Sequence, residues 1–394
     1  MQNKNLRRKT MQIPFHKTHT TQEEIDAAVE AIKSGWVTSG PKVLEFEDEF
    51  KSFVGSSEAI MLNSATAALH LALKAIGLKE GDEVIVPTNT FVATAEVVTY
   101  FNAKPVLCDI EEDTHNIDVS KIEELITPKT KAIIPVHFAG QPCDMDEIYE
   151  IANQKLKTKN QKLYIIEDAA HALPSSYKGK TIGALNSTDV TCFSFYATKT
   201  LSTGEGGMAT TNSSEFAKTI KVNRLHGISR DAWDRYTVKG AWRYDIVDNG
   251  NKYNSTDINA ALGLVQLKKQ YELRDKRANI AKEYINAFKD INSIELPVIK
   301  DNRETSWHLF IIKVDNRDKV IEELKSRGVG CSVHFIPVHF HTYYKEKYGY
   351  NNSDYPVANR VFEKSLSLPI YPDMSKDEIE YVINCVKEVV EKYV

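Results

Sequence analysis

Short apolar runs alternate with helical patterns from about residue 43 to residue 207, and this alternation constrains the fold of the chain most. Residues 64–76 are rich in alanine and leucine and predict a helix, as do residues 91–100. The apolar runs lie at residues 83–86, 105–108, 131–136, 163–166 and 190–196. Short apolar strands that alternate with helices predict an α/β fold with a mostly parallel sheet covered on both faces.

The pattern then changes. Residues 255–284 predict a long helical stretch suited to connecting two domains, and residues 307–314 predict a strand. Residues 319–326 predict a helix ended by Gly328, and residues 375–394 carry apolar side chains on one helical face. A chain of 394 residues is long enough for two domains. We predict a disordered tail at residues 1–12, a large domain at 13–265 and a smaller α+β domain at 266–394.

Composition excludes several classes of function. The formal net charge is −4, and the only basic run is Arg7-Arg8-Lys9 in the polar N-terminal tail, so a nucleic-acid partner is not expected. We expect no membrane partner, because no apolar run is long enough to span a bilayer and no signal-peptide pattern is present. The five cysteines are scattered and form no CxxC pair, which is typical of a cytoplasmic protein with reduced thiols.

An acidic pair marks the first candidate site. Glu167 and Asp168 follow the apolar run at residues 163–166 and precede two alanines and His171. The carboxyl end of a parallel strand faces the crevice where such sheets bind ligands. One of the carboxylates could instead cap a helix. Two in succession, followed by small residues and a histidine, favour a functional site.

Lys199 marks the second candidate site. It follows the apolar run at residues 190–196 and precedes the glycine-rich segment at residues 203–207. A lysine held in an apolar site has a lowered pKa and becomes a usable nucleophile. A surface lysine at a strand end is the alternative interpretation.

The third candidate is the segment from Asn63 to Ala67, where small hydroxyl residues open a helix after an apolar strand. A helix start can seat a phosphate, although serine and threonine at this place often only cap the helix. A phosphate seat, an acid and a lysine are together what pyridoxal phosphate (PLP) needs. The carboxylate keeps the ring nitrogen protonated, and the lysine forms the Schiff base and moves protons.

Several longer segments carry a family resemblance. NSATAALHLAL, EDAAHA, FSFYATKT, TGEGG and KYNSTDINAA resemble the sugar-nucleotide aminotransferases of the DegT/DnrJ/EryC1/StrS family over about residues 13–394. Within the family the chain looks most like the UDP-4-amino-4-deoxy-L-arabinose aminotransferases, whose segments of the kind WHLFIIKVD and PVHFAG it shares. The resemblance implies the PLP-dependent transferase type I (aspartate aminotransferase-like) fold and a homodimer with shared active sites.

The resemblance also implies roles for single residues. Lys199 would be the Schiff-base lysine, Asp168 the partner of the ring nitrogen, and His171 the contact to the phenolic oxygen of the cofactor. Residues that would contact the phosphate are Ser194, Ala65, Thr66 and, from the neighbouring subunit, Lys252. Many family members have asparagine at the position of Lys252, and a cation there suits a phosphate. Phe91 would cover the ring face, unless it is a core residue of its helix.

Two segments resemble parts of the family that contact the substrate. The first is the loop Trp36, Val37 and Thr38, whose tryptophan could equally be interface core. The second is the small-domain segment His334, Phe335, Ile336 and Pro337, which closes over the substrate. His334, His339 and His341 could also hold a metal ion, but no HExxH pattern or intervening carboxylate supports this, and we expect none.

The predicted reaction is amino transfer from L-glutamate to a nucleotide-linked keto sugar, in the first place a UDP-linked 4-keto sugar. A dTDP- or GDP-linked or 3-keto acceptor is the alternative. The product would supply amino sugars for surface polysaccharide, lipopolysaccharide or glycoprotein glycans. A PLP-dependent sugar dehydratase would carry histidine in place of Lys199, and a non-catalytic regulatory homologue would be expected to lose Asp168 or Lys199.

Overall fold

The computed structural model describes residues 11–229 and 244–393, so residues 1–10 of the predicted tail lie outside the described residues. The strands are β1 (Glu58–Leu62), β2 (Glu83–Pro87), β3 (Lys104–Cys108), β4 (Thr130–Ile133), β5 (Tyr164–Asp168), β6 (Ser176–Tyr177), β7 (Lys180–Thr181), β8 (Val190–Ser194), β9 (Gly207–Thr211), β10 (Arg303–Glu304), β11 (Phe310–Lys313) and β12 (Ser365–Leu368). Each apolar run predicted before residue 207 as a strand is confirmed as one.

Helices make up a large part of the remaining described chain. They are α1 (Gln22–Lys33), α2 (Pro41–Val54), α3 (Ala65–Ala75), α4 (Ala93–Thr99), α5 (Val119–Leu125), α6 (Met145–Lys159), α7 (Ser214–Asn223), α8 (Asp257–Lys268), α9 (Gln270–Phe288), α10 (Arg317–Ser326), α11 (Thr342–Tyr348), α12 (Pro356–Lys364) and α13 (Lys376–Tyr393). Three short 3-10 helices span Phe138–Gly140, Val338–Phe340 and Asn352–Asp354.

The central sheet has seven strands in the order β1-β9-β8-β5-β4-β2-β3. Neighbours from β3 to β8 are parallel, whereas β9 runs antiparallel to both β8 and β1. Among the described strands of this sheet, β9 is therefore the one that runs in the opposite direction. The predicted mostly parallel sheet is confirmed.

Both faces of this sheet are buried. Ile60 and Leu62 of β1 belong to one apolar cluster, and the alternating residues Ala59 and Met61 belong to another on the opposite face. Successive side chains of a strand point to opposite faces, so a strand covered on both sides is apolar throughout. This explains why the sequence shows continuous apolar runs rather than alternation.

A third apolar cluster holds the C-terminal part together. It joins residues of α9, α10, α13 and the antiparallel pair β11–β12, and it also includes Ile13. Helix α13 confirms the predicted C-terminal helix, with Val382, Val386 and Val390 buried on one face. The predicted domain boundary between residues 265 and 266 falls inside α8 and stays a prediction.

Two predicted elements differ in extent from the structure. The long helix is interrupted at Lys269, where the carbonyl of Gln266 accepts hydrogen bonds from Lys269 N (3.1 Å) and from the side chain of Gln270 (3.1 Å). The strand expected from residue 307 begins at Phe310, because Trp307 has a φ of +51°, which extended strand does not allow.

Candidate active site

The carboxyl ends of the parallel strands meet at one edge of the central sheet, and most of the predicted site residues lie there. In the sheet register Gly207 is opposite Leu62 on one side and Ser194 on the other. The start of α3, which follows β1, is therefore a close neighbour of Ser194. Asp168 ends β5, the next strand along the sheet, which pairs with β8.

Asp168 is buried and faces the cleft at this edge. Its Oδ2 accepts a hydrogen bond from Thr94 Oγ1 (2.8 Å), and its Oδ1 accepts one from the backbone N–H of Ala170 (3.1 Å). Burial raises the pKa of this carboxyl, although both hydrogen bonds and the charge of Lys199 act in the opposite direction. A cationic ring nitrogen beside it would supply the charge that its ionised form needs.

Glu167, the other member of the acidic pair, points to the opposite face of the sheet. It is fully buried and contacts His137 Nε2 (3.2 Å), Tyr149 OH (3.3 Å) and Thr191 Oγ1 (3.3 Å). These partners satisfy the carboxylate within the core. Of the two acids, only Asp168 is left to serve a ligand.

Lys199 lies in the loop that connects β8 to β9. Its backbone N–H donates to the carbonyl of Tyr196 (2.9 Å), and the loop is closed where Thr203 N–H donates to Phe195 O (2.9 Å). Burial lowers the pKa of Lys199 to about 8, against the attraction of Asp168. Within the described residues no hydrogen bond holds its Nζ. A partly neutral amine near pH 7 is a competent nucleophile.

The start of α3 has the features expected of a phosphate seat. Ser64 caps the helix by accepting from Ala67 N–H (3.1 Å), which leaves the N–H groups of Ala65 and Thr66 without a partner in the helix. A Cβ on Gly207 would lie 2.3 Å from the carbonyl carbon of Ser64. Only glycine allows β9 to approach the helix start this closely.

His171 presents a neutral ring to the same cleft. Its Nδ1 accepts from the backbone N–H of Ala139 (3.3 Å), so the ring proton belongs on Nε2. Burial and the charge of Lys199 hold the pKa of His171 well below its ordinary value. Its ring packs against Phe335 (5.9 Å between centroids) and His308 (4.3 Å). An Nε2–H donor suits a phenolic oxygen.

The predicted small-domain segment lies across the cleft from β2. Phe335 N–H donates to Asn89 Oδ1 (3.2 Å), and His334 Nδ1 lies 2.8 Å from Ser367 Oγ. Pro337 is buried, whereas Ile336 is 49% exposed. The segment is therefore bound to the loop after β2, which carries Asn89.

Phe91 lies in the turn before α4 and is 58% exposed, so its interpretation as a core residue of a helix is wrong. The helix begins two residues later than predicted, at Ala93. The ring of Phe91 contacts that of Phe335 at 5.9 Å between centroids. Phe91 therefore lies beside the small-domain segment that contains Phe335, and its stacking role stays a prediction.

The loop with Trp36, Val37 and Thr38 lies together with Lys252. Asn254 donates to Ser39 Oγ (2.8 Å), and its Oδ1 accepts from Lys252 Nζ (2.5 Å). Thr38 accepts through its carbonyl from Asp257 N–H (3.0 Å), Trp36 packs on Gly40, and Val37 is exposed.

Lys252 also lies next to the phosphate seat of its own chain. Its carbonyl accepts from Asn63 Nδ2 (3.4 Å), and Asn63 directly precedes Ser64, the cap of α3. The reach of Lys252 into a neighbouring subunit stays a prediction.

The histidines considered for a metal point to different partners. Both ring nitrogens of His339 are engaged, by Thr88 Oγ1 (2.6 Å) and Asn359 Oδ1 (2.8 Å). Among the described residues no group of three potential ligands is placed to hold a metal ion. In the same part of the chain no helix is both long and apolar enough to cross a membrane.

Sequence reasoning missed several residues of the cleft. Thr94, which donates to Asp168, lies three residues after Phe91 in the segment NTFVAT. Its place in the first turn of α4, close to Phe91, could have indicated that it belongs to the site. His16 contacts the carbonyl of Ala197 through Nε2 (2.9 Å). No local pattern links a histidine at residue 16 to the lysine loop.

These residues fit pyridoxal phosphate. The open helix start next to Gly207 suits the phosphate, and buried Asp168 lacks the countercharge that a ring nitrogen provides. The amine of Lys199 is available for the aldehyde. Fold and site together define a PLP-dependent aminotransferase of fold type I.

The DegT/DnrJ/EryC1/StrS aminotransferase family model matches residues 18–387, and the chain belongs to this family. The spore coat polysaccharide biosynthesis protein SpsC of Bacillus subtilis is 46% identical over 96% of this chain and 97% of its own. An uncharacterized protein of Methanocaldococcus jannaschii is 50% identical over 94% of this chain and 95% of its own.

Two solved structures extend the comparison. Spr1654 of Streptococcus pneumoniae, assigned as a sugar aminotransferase, was solved in a PLP-form that is 37% identical, with a TM-score of 0.90 over 98% of this chain and 100% of its own. The aminotransferase PseC of Helicobacter pylori, involved in the biosynthesis of pseudoaminic acid, is 28% identical, with a TM-score of 0.88 over 97% and 100%. The predictions of family, fold and cofactor are confirmed.

Proposed function

We propose that the enzyme transfers an amino group from L-glutamate to the keto group of a nucleotide-linked sugar. The preferred acceptor in this proposal is a UDP-linked 4-keto sugar. The observation that carries the proposal is the meeting of Lys199, Asp168 and the start of α3 at one edge of the sheet. Relatives add the substrate class, since SpsC serves polysaccharide synthesis and Spr1654 is assigned as a sugar aminotransferase. We infer that the product enters polysaccharide or other glycan synthesis.

Bound PLP supplies an electron sink for the carbanion formed when a proton leaves the amine-bearing carbon. Asp168 keeps the ring nitrogen protonated, and Thr94 holds this carboxylate in place through its hydrogen bond. His171 donates from Nε2 to the phenolic oxygen. The N–H groups of Ala65 and Thr66, together with Ser194, hold the phosphate.

Lys199 is the proton carrier in this proposal. A pKa near 8 lets its amine both accept and release a proton close to neutral pH, which is the optimum for general acid–base catalysis. Since no hydrogen bond holds its Nζ within the described residues, the amine is free to move between the two carbons that exchange the proton.

Aromatic rings line one side of the cleft. Phe335 packs against Phe91 (5.9 Å between centroids), Phe138 (6.1 Å) and His171 (5.9 Å). Apolar rings exclude water, which strengthens the electrostatic interactions inside the site. We infer that the segment from His334 to Pro337 closes over the sugar and that Phe91 stacks on the cofactor ring.

We also infer a cytoplasmic homodimer with shared sites. The exposed ring of Phe91 and the exposed cation of Lys252 support a second subunit that completes the site. All five cysteines are buried free thiols, as in a reducing compartment.

An amination assay tests the proposal. The PLP-loaded enzyme receives glutamate and a panel of UDP-, dTDP- and GDP-linked 4-keto and 3-keto sugars, and 2-oxoglutarate and the product mass are measured. We expect turnover with a UDP-linked 4-keto sugar and none in Lys199→Ala, whereas the exposed control Lys180→Ala keeps full turnover.

Turnover with a dTDP-, GDP-linked or 3-keto sugar would replace the acceptor in the proposal. Loss of a hydroxyl group from the sugar without amination would establish a dehydratase instead. Failure of glutamate to convert the cofactor to its amine form would refute the donor.

A further inference from the structure

Gln270, the first residue of α9, holds the backbone next to Lys199. Its Nε2 donates to the carbonyl of Thr200 (3.2 Å), the residue directly after Lys199. The two partners are 70 positions apart along the chain, so this contact forms only on folding. Both Gln270 and Thr200 are buried, and the hydrogen bond between them is therefore shielded from water.

Two acceptors fix the orientation of this side-chain amide. Besides Thr200, the Nε2 of Gln270 donates to the carbonyl of Gln266 (3.1 Å), at the break between α8 and α9. The reverse orientation would place Oε1 against two carbonyl oxygens, neither of which can donate. In the structure Oε1 is buried and accepts no hydrogen bond from the described residues. A buried acceptor without a donor destabilises a fold, so an apolar side chain of similar size would serve packing at least as well.

The backbone before Lys199 is held from a different part of the chain. The carbonyl of Ala197, two residues earlier, accepts from Thr18 Oγ1 (2.9 Å) and lies 2.9 Å from Nε2 of His16. Together with Gln270 these side chains hold the backbone on both sides of the lysine. Since no hydrogen bond holds the Nζ within the described residues, the backbone of Lys199 is fixed while its amine is free to move.

We propose that Gln270 is a positioning residue for Lys199, because its amide fixes the backbone from which the lysine amine reaches the cofactor aldehyde. The inference rests on the role proposed for Lys199. With its backbone fixed, the side chain always starts from the same point, and the amine returns to the same place after each proton transfer. A displacement of about 1 Å at a reacting group costs roughly 100-fold in rate. This role in the reaction explains why an amide is kept here although its oxygen has no partner among the described residues.

Gln270→Met tests the inference, because methionine is similar in length and unbranched but has neither the amide donor nor the amide oxygen. The cofactor-free protein is mixed with PLP, whose aldehyde condenses with the Lys199 amine and releases water, and separately with pyridoxamine phosphate, which has no aldehyde. In Gln270→Met the rate of PLP capture should fall about 10- to 100-fold, whereas the affinity for pyridoxamine phosphate should stay within about 2-fold of wild type. The melting temperature should stay within about 2 °C, because removal of the unpartnered oxygen offsets the lost hydrogen bonds.

Gln161→Met is the matched control. Gln161 Nε2 also donates to two backbone carbonyls, those of Thr127 (2.8 Å) and Thr130 (3.0 Å), but at the start of β4, on the opposite edge of the sheet from the cleft. This variant should capture PLP at the wild-type rate.

Two results would overturn the inference. One is an unchanged rate of PLP capture in Gln270→Met, and the other is a loss of pyridoxamine phosphate affinity as large as the loss in capture rate, which would indicate general damage to the site. Lys199→Ala, measured in parallel, tests the proposed function separately. If this variant gave the same PLP absorbance as wild type, the role of Lys199 itself would be wrong.

Discussion

Replacing Thr94 by valine removes the only side-chain hydrogen bond that Asp168 receives within the described residues. Thr94 is fully buried, and its Oγ1 donates to Asp168 Oδ2 (2.8 Å) while lying 2.8 Å from Thr90 Oγ1. Valine has nearly the same shape, so the change deletes a hydrogen bond and leaves the packing. We expect the ionised form of Asp168 to be destabilised and the cofactor to bind more weakly.

The size of the effect follows from the type of bond. A hydrogen bond to a charged group contributes about 1.5–3 kcal/mol, which corresponds to a loss of roughly 10- to 150-fold in PLP affinity. Burial already raises the pKa of Asp168, and the Thr94 hydroxyl is the largest opposing influence. The pKa therefore rises further in Thr94→Val. Since the ring nitrogen needs an ionised partner, PLP affinity falls as pH drops, and in the variant this fall begins at a higher pH.

The assay is equilibrium titration of the cofactor-free protein with PLP, followed by absorbance at several pH values. Thr99→Val is the matched control, because Thr99 ends the same helix but donates to the backbone carbonyl of Glu96 (2.7 Å). Equal PLP affinity in Thr94→Val and wild type over the whole pH range would refute the role given to this hydroxyl.

Three further predictions concern the cofactor. Gly207→Ala should lose PLP retention while far-UV circular dichroism is unchanged, because the new Cβ would lie 2.3 Å from the carbonyl carbon of Ser64; normal retention would contradict the phosphate seat. The rate of PLP capture by the cofactor-free enzyme should rise with pH through about 8, where Lys199 loses its proton. A rate that does not change with pH would contradict the role of Lys199 as the nucleophile. Asp168→Asn should abolish transamination yet raise the melting temperature of the cofactor-free protein by about 2 °C, because folding raises the pKa of this carboxyl and its ionisation opposes folding at neutral pH. A lower melting temperature would contradict this sign.

The sheet and the chemistry of the site could be predicted because both leave local marks in the sequence. Strands covered on both faces are continuous apolar runs, and ligand residues lie at the ends of such strands or in the loops after them, as Asp168 and Lys199 do. Element ends were less predictable. Trp307 adopts a left-handed φ, and the helical stretch breaks at Lys269, where the backbone N–H of Lys269 and the side chain of Gln270 share the carbonyl of Gln266. Neither tryptophan nor lysine is a residue type that predicts a left-handed φ or a helix break.

Residues that act over long separations could not be predicted from any local pattern. His16 meets the lysine loop only because the N-terminal segment crosses it after folding. Arg277 of α9 is one of several cations on a polar helix, and it differs from Arg274, which pairs with Glu304, in having no acidic partner among the described residues. Which of Glu167 and Asp168 is satisfied within the core likewise depends on contacts that form only in the folded chain, such as that of Glu167 with His137.

The pairing of β1 with β9 has a consequence for folding. These strands are neighbours in the sheet, yet residues 63–206 lie between them along the chain, so this contact closes one of the longest loops of the fold. Pairings of this kind are slow to form, because the loop entropy is lost before the contact is gained. The phosphate seat depends on the close approach of Gly207 to Ser64 across that pair. PLP can therefore bind only after the edge of the sheet has closed, and it then stabilises the native state over every partly folded one.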